Sequence, residues 1–188
     1  MKKAFTIMEL VFVVIILGVL AAIALPKLGA SKDEASATQA LSNLKIFIND
    51  VSNYVLKNEA LSSIALMSNV ANIKNEDLSS LQNSSKELYF GVGNDEECFK
   101  VIFVDQESVL LLGISTKTNN NFQNIANLKN ELLKKPSDLN LKNQLDNALK
   151  ELANTEFQSL SKSKSCQNLI HSKTFKDLAS KVYILSGN

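Results

Sequence analysis

The first 26 residues carry the feature that most constrains this chain, an uncharged run over residues 10–25 that directly follows a single carboxylate, Glu9. As a helix rising about 1.5 Å per residue, residues 5–25 span roughly 30 Å, which is one hydrocarbon thickness of a bilayer. Lys2 and Lys3 precede the run, which predicts a cytoplasmic N-terminus and an exported remainder. A carboxylate at the bilayer centre costs about 2.5–3.5 kcal/mol on insertion scales. An acidic residue at the head of a membrane segment is therefore unfavourable, and Glu9 requires a partner.

Three kinds of protein carry such a segment. A secretory signal peptide needs small residues around its cleavage site, and Ala22 and Ala24 supply a loose match. A plain signal anchor accounts for the length and the lysines but not for Glu9. The third kind is a membrane subunit that is processed and then assembles through this segment.

Residues 4–10, with the sequence AFTIMEL, resemble the processing site of type IV pilins and type II secretion pseudopilins. This resemblance implies that a prepilin peptidase cuts between Ala4 and Phe5 and that the new amine is methylated. The family usually has Gly where this chain has Ala4. Pro26 falls where the family has a helix-kinking proline, and the lysine after it is typical of major pseudopilins. The resemblance covers about residues 1–57.

The same resemblance assigns Phe5 and Glu9 to assembly. Cleavage would expose an α-amino group at Phe5, whose reference pKa is about 8. In a helical bundle, Glu9 of one subunit would meet the Phe5 amine of its neighbour, and such a buried pair selects register more reliably than it adds stability. The alternative is that Glu9 stays solvated among the headgroups. Pro26 predicts a kink because it lacks an N–H and clashes with the preceding turn.

Apolar residues recur at three- and four-residue spacing after Pro26, which predicts one helix over about residues 5–57. Its first half crosses the membrane to about residue 26, and its second half packs on a soluble domain. The predicted packing stripe is Leu41, Leu44, Ile48, Val51 and Val55.

Strand-like runs at 87–92, 98–105, 108–115 and 181–185 predict a small antiparallel sheet on this helix. We expect the second of these strands to be covered largely on one face. The predicted class is therefore α+β, with a pilin-like long helix.

Helical periodicity returns over about residues 118–154 and breaks near Pro136, with Ser137 as the candidate N-cap. This predicts a helical hairpin inserted into the head, which the pilin pattern lacks. The insertion is a packing elaboration, a solvated arm or an element that docks a partner.

Weaker helical patterns lie at 60–70 and 76–82, and the Ser/Lys-rich stretch 159–165 is predicted as a loop. The domains are thus a leader (1–4), the long helix (5–57) and a head (58–188).

Cys98 and Cys166 are the two cysteines of the chain. Export would place them where disulfides persist, so a bridge is favoured over two buried thiols. No metal or other cofactor is predicted, since His171 is the only histidine and has no ligand set of usual spacing. Residues 95–97 (DEE) are interpreted as a solvated turn rather than a calcium site.

The sequence has neither a recognisable pairing of a nucleophile with a base nor a phosphate-binding motif, so it does not predict an enzyme. Cys166 and His171 lie close in the chain, but this spacing implies no catalytic geometry. The predicted function is structural: a pseudopilin or pilin-like subunit of a filament that serves type II secretion or DNA uptake in transformation. The alternative is a signal-anchored periplasmic binding module that forms no filament.

The partners implied by the resemblance are copies of this chain, related pilin-like subunits, the prepilin peptidase, an inner-membrane assembly platform and membrane lipid. Removal of Lys2 and Lys3 leaves 18 basic against 19 acidic side chains (20 − 2 against 19), or −1. This balance argues against direct nucleic-acid binding by the head. The predicted location is the inner membrane, with a single span and a periplasmic head, and the assembled filament would be periplasmic or on the cell surface.

Overall fold

The structure is a computed structural model that describes residues 6–116 and 121–186, without the side chains at 25, 26, 28 and 30. It contains six helices and four strands within those ranges. In chain order they are α1 (Ile7–Asn58), α2 (Ile64–Met67), β1 (Ser85–Val92), β2 (Asp95–Gln106), β3 (Val109–Ser115), α3 (Asn121–Lys134), α4 (Leu139–Ala153), α5 (Lys164–His171), α6 (Lys173–Ala179) and β4 (Tyr183–Ser186).

The helix predicted over 5–57 is found as α1, which has 52 residues and is continuous through position 26. A helix of this length extends about 78 Å. It ends at Glu59, which adopts the left-handed conformation (φ 56°) and donates its N–H to the Val55 carbonyl at 2.7 Å. The kink at Pro26 stays a prediction.

The sheet is antiparallel throughout, with strand order β1-β2-β3-β4. Gly93 and Asn94 form the two-residue turn between β1 and β2, and Gly93 supplies the positive φ of 62° that such a turn requires. The α+β class with a four-stranded sheet is therefore confirmed. Residues 95–97 are not a turn, because β2 already begins at Asp95.

Both faces of β2 are buried, which corrects the expectation of one covered face. Phe99, Val101 and Phe103 belong to the core that contains α1, whereas Ile102 and Val104 belong to a second core that contains α3 and α4. The near-continuous apolar run of β2 is the pattern of a strand covered on two sides.

The predicted hairpin forms as α3 and α4 and closes this second core. It is also held at the β2–β3 turn, where Glu107 Oε2 accepts hydrogen bonds from Asn130 Nδ2 at 2.9 Å and from Lys134 Nζ at 2.7 Å. The insertion is thus a packing element of the head.

Two local predictions are wrong because a nearby aspartate side chain accepts hydrogen bonds from backbone amides. Asp138, not Ser137, caps α4, since its carboxylate accepts hydrogen bonds from the Asn140 and Leu141 amides. The positive N-terminus of the helix also stabilises this negative charge. Residues 76–82 are not helical, because the Asp77 carboxylate accepts from the Ser79 amide in a local turn.

Three short helices also differ from expectation. Only Ile64–Met67 is helical within the predicted 60–70. The loop predicted at 159–165 ends early, because Ser163 caps α5 by accepting from the Cys166 amide. α5 and α6 have eight and seven residues, too few turns to show a clear apolar periodicity.

Candidate functional site

The N-terminal part of α1 is the candidate site. Residues Ile7–Ala24 are long and apolar enough to cross a membrane, and none of them is buried within the chain. Burying apolar surface is worth roughly 25 cal/mol per Å², so this stretch requires a covering of lipid or of other helices.

Glu9 has a partner within its own chain. Thr6 donates its amide and its hydroxyl to Glu9 Oε2, at 2.9 and 2.8 Å, and the Glu9 amide donates back to Thr6 Oγ1 at 3.3 Å. This is a capping box, and its T-x-x-E spacing was readable in the sequence. Both bonds from Thr6 end on Oε2, so Oε1 can accept from a further donor.

Among the other predicted site residues, Ala4 and Phe5 lie outside the described residues, so cleavage and the Phe5 amine stay predictions. The pairing of Phe5 with Glu9 also stays a prediction. Pro26 lies in α1 immediately beyond the apolar stretch.

Cys98 and Cys166 form a disulfide that joins β2 to α5, with their Cα atoms 5.5 Å apart and both residues fully buried. The predicted bridge is confirmed. It also removes the thiol that a Cys166–His171 pair would need.

The serines before Cys166 fix their loop to α1 and to β2, two contacts that the sequence reasoning missed. Ser165 Oγ donates to Asp33 Oδ1 on α1 at 2.7 Å, and Ser163 Oγ donates to Asp95 Oδ2 at 2.8 Å. Burial raises the pKa of Asp95, but hydrogen bonds from the Ser161 and Ser163 hydroxyls and the Glu97 amide outweigh it and lower that pKa. No local pattern in the sequence pairs these serines with Asp33 or Asp95.

Within residues 6–116 and 121–186, no group of three or more His, Cys, Asp or Glu side chains is arranged to hold a metal ion. No family model, curated protein or solved structure matches this chain. The site is thus defined by two features of α1, its uncovered apolar stretch and the carboxylate of Glu9 at the head of that stretch.

Proposed function

We propose that this chain is a pilin-like filament subunit, processed before Phe5, whose α1 packs against α1 of neighbouring copies in a filament for secretion or DNA uptake. The proposal is carried by one observation. A single unbroken helix has an entirely uncovered apolar stretch at one end and a fully buried stripe at the other.

The buried stripe gives α1 a defined orientation relative to the head. Its core members are at most 1% exposed: Ala40, Leu44, Phe47, Val51 and Val55. Because the helix is continuous from one stretch to the other, it joins the apolar stretch to the head without a flexible linker. A filament needs this fixed geometry so that each subunit repeats the last, whereas a plain anchor works equally well through a flexible linker.

Glu9 supports assembly over simple anchoring. In the free subunit the capping box satisfies Oε2, which reduces the cost of placing the carboxylate at the membrane boundary. In the filament, Oε1 would accept from the Phe5 amine of a neighbour. That bond forms only when adjacent helices are in register, so the carboxylate would select one stagger.

Mass spectrometry of the mature N-terminus tests the processing step. N-methyl-Phe5 as the first residue is the expected result. An intact Met1 would favour the signal-anchored periplasmic binding module, and cleavage near Ala24 would mean a secreted protein and refute the proposal.

Two substitutions at Glu9 test assembly. Glu9→Gln keeps an acceptor for the capping box but removes the charge, and Glu9→Val removes both. We expect both variants to be processed but to yield few or no filaments in shear fractions or by electron microscopy. Normal filaments from Glu9→Gln would show that the charge pair does not set the register. A deletion strain assayed in parallel for protein secretion and for transformation would assign the machine.

A further inference from the structure

Two different parts of the head lie on the two sides of α1. On one side, Asn43 of α1 donates to Asn72 Oδ1 in the loop before β1 at 2.6 Å, and Asn72 in turn bonds Gly91 of β1. On the other side, Leu41 of α1 and His171 of α5 line one groove. Asn43 and Leu41 are two residues apart, or about 200° around a helix of 3.6 residues per turn. The loop and β1 are therefore on the opposite side of α1 from α5.

The side with the loop and β1 is acidic. It comprises residues 59–100 and those residues of α1 that the helical period places beside Asn43. Its five lysines and eight carboxylates give a formal charge of −3 (5 − 8), and we call it the acidic side. These residues are Lys32, Lys57, Lys74, Lys86 and Lys100 against Asp50, Glu59, Glu76, Asp77, Glu87, Asp95, Glu96 and Glu97.

The lysines of the acidic side do not offset its excess charge. Three of the five are already paired with carboxylates of the same side, at 2.6–2.7 Å. Asp77 and Glu97 are exposed, and neither forms an ion pair with any residue that the structure describes.

The side with α5 and α6 is basic. It comprises residues 164–181 with Glu34 and Lys45, which the helical period places beside Leu41. Its five lysines and two carboxylates give a formal charge of +3 (5 − 2), and we call it the basic side. All five lysines are exposed, and none forms an ion pair within the described chain: Lys45, Lys164, Lys173, Lys176 and Lys181 against Glu34 and Asp177.

The rest of the head is nearly balanced. Residues 105–107 and 121–153 have five lysines against six carboxylates, and residues 154–163 have one of each. Asp33 faces the head between the two sides, where Ser165 donates to it. The charge of the head is thus separated across α1.

We propose that the acidic side of one copy binds the basic side of the next copy. A contact between two different surfaces of identical chains is heterologous, and its repetition gives an open filament when the rotation does not close a ring. Both surfaces belong to this chain and their formal charges are equal and opposite, so a second copy is a partner that fits each of them. The inference rests on the filament of the proposed function and names the head surfaces that hold it. Complementary charge of this kind fixes partner and register more than it adds affinity.

Two charge-reversal variants of the full chain test the proposal in cells. Lys173→Glu/Lys176→Glu changes the basic side from +3 to −1 (3 − 4), and Glu96→Lys/Glu97→Lys changes the acidic side from −3 to +1 (−3 + 4). Each variant then has two sides of like charge, which repel in neighbouring copies. We expect each variant alone to yield at least about tenfold fewer filaments than wild type in shear fractions.

Co-expression of the two variants gives the sharper test. One variant has two acidic sides and the other has two basic sides, so they should alternate in mixed filaments and recover most of the wild-type yield. Lys135→Glu/Lys142→Glu is the matched control, since it makes the same charge change at exposed lysines of the α3–α4 hairpin and should assemble like wild type. Melting curves of all three variants should match that of wild type because every changed residue is exposed.

The outcomes separate this inference from the proposed function. If wild type forms filaments and the reversal variants do so equally well, the charge contact is refuted while the filament stands. Failure of the mixed variants to recover, or an equal loss in the hairpin control, would also refute the contact between the two sides. Absence of filaments from correctly processed wild type would overturn the proposed function and this inference together.

Discussion

Gly113 determines whether the inserted hairpin can lie on the sheet. A Cβ at this position would lie 2.2, 2.5 and 2.6 Å from three carbons of the Phe122 ring. Ordinary van der Waals contact begins at 3.4 Å, so the ring would have to retreat by about 1.2 Å (3.4 − 2.2). Phe122 is 1% exposed and packs in the second core, where close packing leaves no room for that movement.

We therefore expect Gly113→Ala to lower the free energy of unfolding by about 1–3 kcal/mol, the usual range for an overpacked core. For a domain of this size the melting temperature should fall by about 2–12 °C. Thermal unfolding of the detergent-solubilised chain, followed by circular dichroism, measures the change.

Two comparisons separate the clash from a general effect of alanine. In a Phe122→Ala background, which itself costs about 3–5 kcal/mol, Gly113→Ala should add little because the clashing ring is gone. Gly29→Ala is the matched control, since a Cβ there meets nothing within 4 Å and the site is in a helix. That change should stabilise the chain by about 0.5–1 kcal/mol. A neutral Gly113→Ala, or an equal cost in both backgrounds, would refute the packing of α3 on the sheet.

Two further predictions concern the disulfide and the half-buried carboxylates. Replacing Cys98 and Cys166 by Ser should cost about 4 kcal/mol, from the entropy of a loop whose ends are 68 residues apart. Thiol labelling of the protein isolated from cells, run on reducing and non-reducing gels, should find no free thiol, and free thiols would refute the bridge. Asp95 has a lowered pKa, so its stabilisation is present at neutral pH and is lost as the pH falls through that folded pKa. Asp105 has a pKa raised by burial, so its charge opposes folding at neutral pH. Melts at neutral and acidic pH should show Asp95→Asn less stable than wild type at neutral pH with a flatter acid dependence, and Asp105→Asn equal or more stable there. The same loss of stability in both variants at neutral pH would contradict this assignment.

Local patterns were sufficient for the long elements. α1 was predictable to within two residues at each end, because its apolar stretch is long and uncharged and its packing stripe recurs at three- and four-residue spacing. The first three strands were predictable because apolar runs alternate with short turns, although their boundaries moved by up to three residues. The partners Cys98 and Cys166 followed from there being only two cysteines.

Local patterns did not predict which of two adjacent residues caps a helix, nor which residues far apart in the chain form a hydrogen bond. Ser137 was the expected cap of α4, but Asp138 is the stronger acceptor one residue later. The bond between Asp33 and Ser165 joins residues 132 positions apart, and no periodicity reports such a contact. Thr6 is the exception, since the T-x-x-E spacing of residues 6–9 indicates its capping box with Glu9.

Residue order and composition alone establish a membrane-length apolar helix headed by Glu9, an antiparallel sheet and a single possible disulfide. These properties depend on the order of residues along one element or on a count of residue types. The packing of the elements is needed to show that β2 is covered on both faces, that Phe122 packs over Gly113, and that the loop before α5 bonds to Asp33 of α1. Those contacts join residues remote in the chain, so they exist only after the helices and strands have packed.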